Sequence, residues 1–126
     1  MRMLALLILV VGPRSCITDG VVCTAQVVYG INITVTDLAT GSPPSEATLL
    51  ARSGTFTDSV GPRAPFQWVA NGPLVLSLST AGERAGVYSV VVRSPGYRDW
   101  TRSGIRVTGD QCHVRPVNLT AELLPT

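Results

Sequence analysis

Apolar and polar residues alternate along most of the chain. Ile31, Ile33 and Val35 interleave with Asn32, Thr34 and Thr36, the period of a strand with one buried face. Gly30, just before this run, predicts a bulge or kink. The stretch Asp37-Leu-Ala-Thr-Gly-Ser-Pro-Pro44 then stops the strand and builds a turn. The Asp37 carboxylate is placed to accept a backbone N–H two residues on, and Gly41 can take positive φ. Ala47–Arg52 reads as a second strand, Ser53-Gly54 as a tight turn, and Thr55–Val60 as a third strand with Phe56 its largest apolar group. Residues 61–73 hold three Pro and two Gly and read as an irregular excursion anchored by Phe66 and Trp68. Leu74–Ser79 alternates again and is a fourth strand.

Ala81–Gly86 is a loop in which Glu83 and Arg84 are neighbours of opposite charge. Beyond it, Tyr88, Val90 and Val92 share one face of a strand. Ser94-Pro-Gly-Tyr97 fits a type II turn, and Tyr97–Val107 returns with a bulge expected at Ser103-Gly104. In the last segment, His113–Leu124, the residues Val117, Leu119, Ala121 and Leu123 face one way, away from Asn118, Thr120 and Glu122. No segment keeps a 3.6-residue apolar period between helix caps. About seven short strands separated by turns predict an all-β chain, an antiparallel sandwich of two sheets.

The first residues follow a different rule. MRMLALLILVV places one Arg before an apolar run, the charged and hydrophobic regions of a secretory signal. The run is shorter than the ~20 residues of a permanent span, and no later stretch is long enough. An uncleaved membrane anchor is the competing reading. Cys16 sits at the spacing of a lipoprotein cysteine. Ser15 suits a lipidation signal there, whereas Arg14 does not, so membrane attachment through a lipidated Cys16 stands beside ordinary cleavage nearby. The expected organisation is a signal peptide at 1–15, a tether at 16–22 and one domain at 23–126. Either processing outcome places the mature chain outside the cytoplasm.

In an oxidising compartment unpaired thiols are uncommon. With Cys16 lipidated or removed, Cys23 and Cys112 remain to pair. One precedes the first strand and the other the last, so parallel neighbouring strands would bring them to one end of a sheet. The alternative, a metal site of Cys16, Cys23, Cys112 and His113, lacks the paired short spacings of structural zinc sites.

All ten basic residues are Arg, and Arg2 and Arg14 lie in the signal, so residues 16–126 carry eight basic and eight acidic groups. A neutral domain without a basic stripe argues against nucleic acid as a partner. Catalytic constellations are also missing. The one His, His113, follows a cysteine expected to be bonded and reads as a strand-end residue. Asp37, Asp58, Asp99 and Asp110 fall at turns or strand ends, where they cap backbone N–H groups or at most gather into a weak Ca²⁺ site. No cofactor is expected. Tyr88 and Phe56 are expected in the core, and Tyr97 over an edge. The candidate contacts for a ligand are Trp68, Tyr97 and Trp100; burial in the core is the competing reading, and Trp68 and Trp100 are the two to look for if any are exposed. Asn32-Ile-Thr and Asn118-Leu-Thr match the glycosylation sequon and read as solvent-facing strand residues.

These runs have a family likeness. Ile33-Thr-Val-Thr-Asp37, Thr40-Gly-Ser-Pro43, Gly86-Val-Tyr88-Ser-Val90 and Pro95-Gly-Tyr97 together resemble the carboxypeptidase regulatory-like domains over roughly residues 27–124. The chain is also similar to short bacterial secreted or lipoprotein members, in which a Cys precedes the first strand and a Cys-His the last. The resemblance implies a seven-stranded Greek-key β-sandwich of transthyretin (prealbumin) type, grouped with carbohydrate-binding-like folds. It further implies a non-catalytic role in structural or binding contacts with a protein or glycan at the cell envelope. The alternative is a carbohydrate-binding module using Trp68 and Trp100.

Overall fold

The computed structural model describes residues 22–126. The expected signal peptide, the lipidation candidate Cys16 and the expected tether up to residue 21 lie outside the described residues. Within them the chain is all-β. Nine strands follow in order: β1 (Tyr29–Asp37), β2 (Ala47–Ser53), β3 (Phe56–Arg63), β4 (Phe66–Gln67), β5 (Leu74–Val75), β6 (Ser77–Gly82), β7 (Gly86–Arg93), β8 (Trp100–Val107) and β9 (Val117–Leu123). No helix among the described residues is long and apolar enough to cross a membrane.

Two sheets carry the fold. One has the order β6-β1-β9 and the other β3-β2-β7-β8; β4 and β5 form a separate two-stranded ribbon. The period-two positions do what their alternation predicts. Ile31, Ile33 and Val35 of β1, Leu49 and Ala51 of β2, Tyr88, Val90 and Val92 of β7, and Ala121 and Leu123 of β9 are all buried. They join Leu76, Leu78, Ile105 and Val107 in one apolar cluster drawn from both sheets. Each fully buried Leu, Ile or Val contributes roughly 1.5–3 kcal/mol relative to exposure, so this cluster dominates stability.

The turns follow their residues. Asp37 Oδ1 accepts from the N–H groups of Ala39 (2.7 Å) and Thr40 (3.1 Å), and Gly41 has φ 74°. The Tyr97 N–H donates to the Ser94 carbonyl at 3.1 Å, with Gly96 at φ 81°. The bulge falls where expected. Tyr88 pairs with Ile105 but Val90 pairs with Arg102, so β8 holds one extra residue, and Gly104 at φ 68° accommodates it.

Other expectations change. Nine strands replace seven. The pairing is not wholly antiparallel: β1 and β9 run parallel, Ile31 opposite Val117 through Asp37 opposite Leu123. The expected fourth strand divides at Leu76, which leaves the ribbon to enter the core. Gly30 makes no bulge. It lies in the regular part of β1, and a Cβ there would stand 2.6 Å from Val107 Cγ1, so glycine permits the sheets' close approach. Phe66 and Trp68 do not anchor the excursion: they are 40% and 72% exposed on the ribbon. β9 begins at Val117, and Cys112 and His113 occupy the loop before it.

Cys23 and Cys112 form a disulfide with Cα atoms 5.1 Å apart, across 89 residues of chain. The bond fits an oxidising compartment. The C23S/C112S double variant should lose about 2–4 kcal/mol of unfolding free energy. Chemical denaturation with and without reductant checks this: the wild type should weaken on reduction, and the variant should not respond.

Candidate functional site

Two places gather polar chemistry. The first lies beside the disulfide. His113 Nδ1 is 2.5 Å from Glu83 Oε1, and His113 Nε2 is 2.8 Å from Thr24 Oγ1. A carboxylate only accepts, so Nδ1 carries the hydrogen; in the neutral ring Nε2 then accepts from the Thr24 hydroxyl. Glu83 Oε1 also accepts from the Val28 N–H at 2.7 Å, and Oε2 from the Val114 N–H at 3.3 Å. These bonds, led by that from Val28, hold the Glu83 carboxyl below its ordinary 4.5.

Hydroxyl, imidazole and carboxylate in this order match the parts of a hydrolytic triad. Their surroundings match a staple. The amides of Cys112 and His113, next to the ring, both donate to Asp110 Oδ1, at 2.8 and 2.9 Å, and are not free to hold an oxyanion. The cluster joins three segments distant in sequence: the lead into β1, the β6–β7 corner and the β8–β9 loop. Glu83 is therefore not the partner of Arg84. The Arg84 guanidinium lies 4.2 Å from the centre of the Phe56 ring, and its carbonyl accepts from the buried Tyr88 hydroxyl at 2.9 Å.

The second place is an open groove of about 860 Å³ on the outer face of the β6-β1-β9 sheet. Its floor is polar because β1 buries its isoleucines. Asn32 and Thr34 of β1, Ser77 and Ser79 of β6 and Asn118 of β9 point outward there. They stand in rows: Asn32 is opposite Ser79 on one side and Asn118 on the other, and Thr34 is opposite Ser77 and Thr120. The Ser79 hydroxyl donates to Asn32 Oδ1 at 2.7 Å and fixes the amide. The wall is aromatic. Tyr29 is 47% exposed, and Phe66 and Trp68 meet at 4.8 Å between ring centres. Arg63 closes the rim.

Of the candidate contact residues, the groove takes Trp68 alone. The Tyr97 hydroxyl donates to Asp37 Oδ2 at 2.7 Å, which lowers the Asp37 pKa and raises that of Tyr97. Trp100 lies on the other sheet, partly buried against the core, with the Arg102 guanidinium 5.1 Å from its ring centre. Trp68 and Trp100 thus do not share a surface. The four candidate carboxylates are each engaged: Asp58, inside β3 and not at a turn, accepts from Thr80 at 2.7 Å, Asp99 pairs with Arg93 at 3.1 Å, and Asp37 and Asp110 accept backbone N–H groups. Among the described residues no group of three His, Cys, Asp or Glu is placed to hold a metal ion.

No protein-family model matches the chain, and no curated protein matches it.

The sequence reading missed Tyr29, Arg63 and the serine–asparagine rows as one surface. The sequons at Asn32 and Asn118 marked two of those positions as outward-facing, but nothing in the sequence set them side by side.

The staple generates a pH expectation. A carboxyl whose folded pKa is depressed contributes stability above its unfolded value, and that contribution is lost as pH falls through the folded pKa. Melting temperature followed from pH 7 to pH 3 should fall more steeply for the wild type than for E83Q. Because the Asp37 and Asp110 carboxyls are also held below their ordinary 3.8, both proteins should still decline as pH falls through that value.

Proposed function

We propose that this chain is an exported, non-catalytic β-sandwich of the transthyretin-like Greek-key type, related to the carboxypeptidase regulatory-like domains. It acts by making contacts at the bacterial cell envelope. Its export rests on the signal-like N-terminus, and the disulfide is consistent with that compartment. Cys16 provides a lipid anchor where it is retained. The non-catalytic character is favoured by the engaged amides and carboxylates around the one His. The groove carries the contact reading: it leaves three large aromatics exposed on a chain that otherwise turns its rings inward or spends them on polar partners.

One observation favours the carbohydrate alternative in particular. A ring face with apolar character beside fixed amide and hydroxyl groups suits a polyhydroxylated ring, whose C–H faces stack and whose hydroxyls hydrogen-bond. In this form the module uses Trp68, with Phe66 and Tyr29, and not Trp100.

Affinity electrophoresis against purified cell-wall and capsular polysaccharides tests both. Trp68→Ala should weaken retention about tenfold or more, as truncating a central aromatic anchor does, and Trp100→Ala should leave it in place while lowering stability. Retention unchanged in Trp68→Ala would reject the groove. Hydrolysis of 4-nitrophenyl acetate by the wild type that vanished in His113→Ala would reject the non-catalytic reading.

A further inference from the structure

We infer that the groove selects an acidic polysaccharide, with Arg63 recognising a ring carboxylate. This inference rests on the carbohydrate reading of the groove and makes it specific.

Charge decides it. Among the described residues, Arg63 is the only ionised group that lines the groove, and no carboxylate lines it. Arg93 pairs with Asp99, Arg84 covers Phe56 and Arg102 covers Trp100. Arg63 is in no ion pair among the described residues. Arg52, Arg98, Arg106 and Arg115 are in no ion pair there either, but none of them lines the groove. A cation at the rim of an otherwise neutral, partly apolar depression attracts anions without local competition. Its guanidinium fork matches a carboxylate in two parallel hydrogen bonds. A neutral sugar gains none of this.

Geometry gives the direction in which the chain lies. Ser79, Asn32 and Asn118 form one row across three neighbouring strands, and Ser77, Thr34 and Thr120 form the next. Strands stand about 4.8 Å apart, close to the length of one pyranose unit in a chain. A polysaccharide crossing the strands places successive sugars over successive strands. Each sugar then meets a donor or acceptor of its own. Trp68 and Phe66, on the groove wall, cover one ring face, and Arg63, the last residue of β3, stands three residues before Phe66.

The test compares each acidic polymer with its own charge-neutralised form. Polygalacturonate, alginate and hyaluronate, each alongside its methyl ester, are titrated into the chain by calorimetry. Tighter binding of at least one free acid, by about tenfold or more, is the expected result, with the preference shrinking as salt rises. Arg63→Gln should bring acid and ester to similar affinity. Trp68→Ala should weaken both. Equal affinity of acid and ester in the wild type would overturn the charge preference and leave the carbohydrate reading standing. A preference that persisted in Arg63→Gln would overturn the assignment to Arg63. So would an equal loss in Arg106→Gln, on β8 and not among the residues that line the groove, because that marks unspecific attraction. Failure of every acid and every ester to bind would sink this inference and the carbohydrate reading together.

Discussion

The rest of the structure depends on how β1 is held. It is hydrogen-bonded on both sides, antiparallel to β6 and parallel to β9, and Ile31, Ile33 and Val35 have no exposed surface. A strand in that position has one acceptable register, because a slip of one residue would turn all three side chains to solvent and bring Asn32 and Thr34 into the core. The apolar face therefore fixes the polar one. Ser79, Asn32 and Asn118 stand in a row because Leu78, Ile33 and Leu119 stand in the next row on the other side. The groove floor needs no separate explanation, since it is the reverse side of the core.

Side chains that follow local alternation were legible in the sequence. Tyr88, Val90 and Val92, the Asp37 turn, the Pro95-Gly96 turn and the bulge at Gly104 all follow from short-range chemistry. What escaped depends on partners remote along the chain. Phe66 and Trp68 sit among prolines, in a pattern equally suited to burial or display. Their exposure follows from the ribbon pairing Phe66 with Val75 instead of folding under the sheets. Thr24 and His113 are 89 residues apart, and His113 and Glu83 are 30 apart, so no local pattern announces their contact. Gly30 was singled out correctly as special but for the wrong reason. The constraint is the space taken by Val107 across the layers, which no reading of β1 alone reveals.

The staple and the groove are distinct clusters, yet one positions the other. Residues 23–27 are exposed and bring little apolar surface to the core. Burial therefore does not fix the direction from which the chain enters β1; covalent and polar contacts do. The disulfide holds Cys23, His113 holds Thr24, and Val28 exchanges two bonds with Glu83: its N–H donates to the carboxylate at 2.7 Å, and its carbonyl accepts from the Glu83 N–H at 2.9 Å. Tyr29, the next residue, lines the groove, and its ring lies against Gly82, one residue before Glu83. The Tyr29 wall is thus set by the same glutamate that the histidine orients. The Trp68 wall is set by the ribbon, with no contribution from the staple. The Tyr29 side of the groove is therefore tied to the disulfide and the Glu83 carboxylate, and the Trp68 side to the ribbon.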